Sequence, residues 1–256
     1  MNPLSRRRRL AILVVGILGA ACGSASPPLP AAAPDLAKPS GFATSTLARG
    51  LPAPLPGGAL YANVIDLPQD GGGAITHAHV AGFVYAIAGI HSMPVDGGAT
   101  VTLNPGEAGF IGAGVKHSHV NPGTATNDWY FISIRPTAAR TAPNIVPGQK
   151  VLFATDDLAA FPAGAYAQQL DRVAIAAGGR GAPRMHGGIE LDYVLSGSLS
   201  VHGEVGKTVS VSAGQGYLRL PGSGSQDFAG TAGAVYLAFF ATAEGQPFET
   251  ILAKAF

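Results

Sequence analysis

The chain repeats itself. Slid along itself by 107 to 108 residues, it lays Gly89 on Gly197, Gly106 on Gly214 and Gly114 on Gly222, with 16 residues between the first two glycines in each copy. The same shift places His77 and His79 over Arg184 and His186, and His117 over Ser225. A duplication of this length is the strongest constraint in the sequence, because whatever unit the first half forms, the second half is expected to form as well.

The unit is a β unit. Between residues 57 and 137, short apolar runs (60–67, 76–89, 100–103, 109–112, 117–120 and 129–134) are broken by Gly, Asn and Pro. A second series follows at 172–176, 190–195, 199–202, 208–211, 217–220 and 235–241. Turn signals every few residues and little helical period favour a sandwich or barrel over βαβ units. The 36 Gly and 20 Pro, without a collagen-like period, suit many tight turns, and 47% apolar against 12% charged residues is ample for a packed core. The Pro- and Thr-rich stretch 136–150 reads as the seam between units, and short helices are expected at 155–161 and in the C-terminal tail.

The first 22 residues stand apart. Arg6 to Arg9 form a basic start, Leu10 to Leu18 an apolar run too short for a permanent span, and Gly19-Ala20-Ala21 a small-residue cleavage site: a secretory signal. Cys22, the sole cysteine, follows directly, which resembles a bacterial lipoprotein signal and implies lipidation of Cys22, although Leu18 stands one place farther from Cys22 than the usual Leu. The alternative is a plain secreted or periplasmic product. Ser5-Arg6-Arg7 also faintly resembles a twin-arginine signal. Residues 23–50, dense in Ala, Pro and Ser, read as a disordered tether. Removing residues 1–21 takes away four of the 16 basic side chains, leaving 12 against 15 acidic ones, which gives no basic face for nucleic acid. Membrane contact is expected through the lipid anchor alone.

In a strand, residues two apart share a face, so His77 and His79 project together, and a third imidazole, His117, can complete an open three-nitrogen metal set. The two halves together resemble the cupin superfamily, whose motifs run G-x5-H-x-H-x3-4-E-x6-G and G-x5-P-x-G-x2-H-x3-N. Gly106, Gly114, His117 and Asn121 match the second motif, with Gly112 in place of Pro; His77, His79 and Gly89 match the first, but Gly82 and Phe83 stand where the metal-binding Glu belongs. The resemblance covers most of residues 57–242. It implies an all-β chain of two tandem double-stranded β-helix (jelly-roll) barrels, here placed at 51–145 and 146–256.

It also implies one divalent transition metal (Fe, Mn, Zn, Ni or Cu) on His77, His79 and His117, since some cupin dioxygenases use three His alone. His119, two residues beyond His117, can fill the vacated Glu position or serve as an orienting partner. Tyr85 and Phe83 are expected in the core or pocket wall, His91 and His202 in exposed turns. In the second copy Arg184 and Ser225 replace ligand positions, leaving His186 and Glu190: a degenerate site. Arg184, His186, Glu190 and Asp192 are expected either to satisfy one another or to form a metal-free anion or sugar pocket. Three functions follow: an exported metal-dependent dioxygenase on a small organic substrate, a non-catalytic metal- or ligand-binding envelope lipoprotein, or a Zn- or Mn-dependent isomerase. Fold alone does not choose among them.

Overall fold

The computed structural model describes residues 35–158 and 161–256; the leader, Cys22 and the first part of the expected tether lie outside them. The strands are β1 (Ser40–Pro54), β2 (Leu60–Gln69), β3 (Ala74–His77), β4 (Gly82–Ala88), β5 (His91–Met93), β6 (Val101–Leu103), β7 (Ala108–Ile111), β8 (His117–Val120) and β9 (Asn127–Pro136). Beyond the seam come β10 (Lys150–Ala154), β11 (Ala165–Arg180), β12 (Arg184–His186), β13 (Ile189–Gly203), β14 (Thr208–Ser212), β15 (Gly216–Arg219), β16 (Gly224–Ala243) and β17 (Glu249–Ile251). No α-helix occurs among the described residues: the tail expected as helical carries β17, and 3-10 turns occupy Thr137–Thr141 and Glu204–Gly206.

The strands curl into two jelly rolls within one compact unit, Asp35–Phe256. A five-stranded sheet (β10-β2-β9-β4-β7) and a four-stranded sheet (β3-β8-β5-β6) enclose the first barrel, and an eight-stranded sheet carries the second. The duplication is written in the backbone. Gly106 N–H donates to Ala86 O and Gly114 N–H to His79 O, and 108 or 107 residues on, Gly214 N–H donates to Val194 O and Gly222 N–H to His186 O. The superposed glycines share left-handed φ values, 70° and 74° at Gly89 and Gly197, 71° and 74° at Gly114 and Gly222, where other residues would be strained.

Two strands cross the expected division. β1 pairs with β11 of the second barrel and β10 with β2 of the first, so each half lends the other a strand. Residues 40–50, expected as tether, are therefore the start of β1. Their small and polar composition reflects an edge strand with one neighbour, mostly exposed.

Alternation along the long strands divides the core. Leu60, Ala62 and Val64 of β2 and Ile132 and Ile134 of β9 meet Leu237, Phe239 and Ala241 of β16 and Leu191 and Tyr193 of β13 between the barrels. The opposite faces turn inward: Ile65, Leu67, Trp129 and Phe131 into the first barrel, Tyr236, Ala238, Phe240 and Val194 into the second. Both faces are buried, which is why these strands read as near-continuous apolar runs.

Candidate metal centre

In the first barrel β3 and β8 lie antiparallel, with His77 directly opposite His117. His119 follows on the same face of β8, buried like His117. The single strand expected at 76–89 is broken after His77, and His79 lies in the short connection to β4, held by the Gly114 bond to its carbonyl. Gly82 sits so close to the Phe131 ring that a side chain there would clash, which lets the chain turn inward at this point.

Four imidazoles thus converge, with ligand atoms of His77, His79, His117 and His119 all within 4.8 Å of one another. Their tautomers are readable from their partners. A carbonyl can only accept, so His79 donates from Nδ1 to Val80 O (2.5 Å) and His117 from Nδ1 to Val115 O (2.7 Å), leaving each Nε2 with a lone pair. Nε2 of His77 and of His79 are buried without a hydrogen-bond partner. The Nε2 atoms of His117 and His119 stand 3.0 Å apart. Two metal–nitrogen bonds of about 2.1 Å at a right angle span about 3.0 Å. The donor set fits a divalent ion.

The electrostatics agree. Burial pushes His79 down to about 4, helped by the neighbouring imidazoles and Arg135, and burial with the charge of His117 lowers His77. Burial among the other imidazoles drives His119 far below the usual histidine range. His77, His79 and His119 are therefore held neutral, with lone pairs available to a cation at ordinary pH.

His91 is not at the surface. It is fully buried on β5, with Nε2 2.9 Å from His119 Nδ1 and its ring 4.5 Å from that of Trp129, on which His119 stacks at 4.3 Å. Burial lowers it to about 4. The sequence places it after Gly89 in what looks like a turn; only the pairing of β5 with β8 brings it inside. Phe83 and Tyr85 are buried, as expected, but in the core between the barrels. His202 is half-buried on β13 with its ring 4.4 Å from Phe228, not in a free turn.

His77, His79 and His119 of the cluster line one end of a cavity of about 500 Å³. Ile65, Leu67, Val80, Trp129 and Phe131 line its inner part, and the seam segment closes the outer part with Ala139, Ala142, Pro143 and Ile145.

In the second barrel Arg184 stands opposite Ser225, the counterpart of His77 opposite His117. Sequence reasoning missed three partners here. Arg219 ends β15, which pairs only with β13, and Asp227 lies near the start of β16 ahead of a long apolar run, charges that could have been read as a signal; Glu249 arrives from the tail. Asp227 accepts from Arg184 (2.5 Å), Arg219 (2.7 Å) and the Tyr236 hydroxyl (2.7 Å). Arg219 also donates to Asp192 (2.6 Å) and, very closely, to Ser225 Oγ, whose hydroxyl lies 2.8 Å from His186 Nε2. His186 Nδ1 is 2.7 Å from Glu190 Oε2, and Arg184 Nε 2.7 Å from Glu249 Oε1.

Four carboxyl groups face two guanidinium groups. Burial would raise Glu190 and Asp227, but Arg219 and Arg184 hold both low. Burial, with the adjacent carboxylates, pushes Asp192 well up and Glu249 to about 8. His186, Glu190 and Glu249 are close enough to suggest a metal site, yet Arg184 and Arg219 already supply the positive charge. Ion pairs and hydrogen bonds join these groups to one another, though Glu190 Oε1 and Asp192 Oδ1 are buried without a hydrogen-bond partner.

No protein-family model matches the sequence, and no curated protein matches it. Solved structures do. Lactobacillus farciminis oxalate decarboxylase, in a formate complex, superposes with a TM-score of 0.53 at 13% identity, covering 82% of this chain and 88% of that one. Bacillus subtilis oxalate decarboxylase, described with Mn(II) centres, gives 0.51 at 14% identity over 82% and 79%. A salicylate 1,2-dioxygenase from Pseudaminobacter salicylatoxidans gives only 0.45 at 13% identity over 71% and 70%. At such identities the oxalate decarboxylases show a shared fold, the cupin jelly roll.

Proposed function

We propose that this chain is an exported metal-dependent enzyme of the dioxygenase type, acting on a small organic substrate in the first barrel. One observation carries the reading: the Nε2 lone pairs of His79 and His117 and the unpartnered Nε2 of His77 belong to one cluster, three of whose members, His77, His79 and His119, line a cavity large enough for a small molecule. His119 is assigned the place of the missing Glu, a neutral ligand that leaves a bound cation its full charge.

A bound first-row divalent ion would supply Lewis acidity and, if redox-active, one-electron chemistry toward dioxygen. The chain's own part is positional. Val80 O and Val115 O fix two ring tautomers, His91 orients His119, and Trp129, Phe131, Ile65 and Leu67 keep the inner cavity apolar and short of water.

Among the described residues the lining contains no Asp or Glu. That counts against an isomerase needing a carboxylate to shuttle protons, and it favours the second reading, a non-catalytic envelope protein that captures a metal or small ligand. Elemental analysis joined to oxygen uptake by the iron-loaded protein, with phenolic, diketone and thiol substrates, separates these. About one equivalent of metal, lost in His77→Ala and His117→Ala, with oxygen uptake, is the result expected of the enzyme; metal without turnover supports capture. A low metal content unchanged by either substitution refutes both. Export and the Cys22 lipid belong to the same proposal, and mass spectrometry of the mature N-terminus tests them: an unmodified thiol refutes the anchor.

A further inference from the structure

We infer that Arg135 is the anchor for a carboxylate on an otherwise apolar substrate, and so sets the substrate class of the first barrel. The inference rests on the cavity being the working site, and not on which metal it holds.

β2 and β9 pair so that Leu67 faces Trp129, Ile65 faces Phe131 and Tyr61 faces Arg135. All six line the cavity, as one wall running outward from the imidazoles. At about 3.3 Å per residue, Arg135 starts roughly 13 Å beyond Phe131, and its side chain can reach back over much of that distance. The ring of His79 lies 4.4 Å from that of Phe131, so this wall joins the imidazoles directly.

The two cavity arginines are in different states. Arg140 is occupied: it donates to Thr155 O (2.7 Å) and Asp157 (3.0 Å) and lies 3.9 Å over the Tyr61 ring. Arg135 takes part in none of the ion pairs found among the described residues. With no acidic residue among the described residues of the lining, a forked donor without a counter-anion among them faces largely aromatic and aliphatic walls. A guanidinium so placed matches a carboxylate, and the walls match a ring or short apolar body between it and the imidazoles.

Trp129 is the only tryptophan of the chain and lines the cavity, so its fluorescence reports occupancy without any turnover. Benzoate, its neutral counterpart benzamide, and acetate are the probes, with equilibrium dialysis of labelled benzoate as a second measure. Benzoate should bind saturably, benzamide about tenfold or more weakly, since a hydrogen bond to a charged group is worth about 1.5–3 kcal/mol, and acetate also about tenfold or more weakly, because it keeps the carboxylate but buries no ring. Arg135→Gln should weaken benzoate by a similar factor and erase its advantage over benzamide, leaving metal content unchanged; Arg135→Lys should fall between. Equal binding of benzoate and benzamide, no benzoate binding by dialysis, or an unaltered Arg135→Gln overturns the inference. Benzoate discrimination in a protein that holds no metal would overturn the enzyme reading and leave this one standing.

Discussion

Asp227→Asn tests whether the charged network of the second barrel exists to hold the fold. Asp227 is fully buried and accepts from two guanidinium groups and a phenol at 2.5–2.7 Å. The amide keeps the volume, removes the charge, and turns one acceptor oxygen into a donor that faces other donors. Removing one member of a buried ion pair costs about 3–5 kcal/mol, because the opposite charge is left uncompensated. For a unit of this size each kcal/mol shifts Tm by roughly 2–4 °C, so a fall of about 10 °C is expected. Calorimetric melts at pH 7, with and without chelator, measure it, together with metal content. The variant should lose stability in both conditions and keep the metal of the first barrel. A fall under about 2 °C, or loss of metal along with the charge, would refute the assignment. Pairing the change with Arg219→Gln removes opposite charges together, and the double variant should lose less than the sum of the singles.

Three further outcomes follow from the geometry. Because His79 titrates near 4 in the fold and about 6.5 when unfolded, the unfolded chain takes up more protons in that window, and the metal-free protein should lose stability as pH falls from about 6.5 toward 4; urea melts after chelation check this. Glu249 goes the other way: raised to about 8 against about 4.3 when unfolded, it makes stability decline as pH rises through that window, and Glu249→Gln should flatten the slope by up to one proton, seen in melts at several pH values. His91→Ala removes the partner of His119 Nδ1 and should weaken metal binding about 10- to 100-fold in a competitive chelator titration, while unchanged affinity would deny it an orienting role.

The duplication was legible because it is local. Glycines at 89, 106 and 114 and their counterparts mark turns that only a left-handed residue makes easily, so their spacing carries the β architecture without knowledge of the partners. The histidine frame was legible for the same reason, since His117 and His119 are two residues apart on one strand. The extended strand drawn through both His77 and His79 was too simple, because the bond from Gly114 to His79 O ends it from 35 residues away.

The sequence by itself thus determined an all-β duplicated chain, one histidine-rich copy and one depleted copy, all of which follow from short spacings and strand period. Only the tertiary structure decided that β1 and β10 are exchanged between the barrels, that His91 lies behind His119, that Arg184 meets Glu249 across 65 residues, and that Arg135 faces the cavity unpaired. Strand propensity is satisfied by many partners. Which partner is taken depends on the faces buried on both sides at once, and that is a property of the assembled sheets.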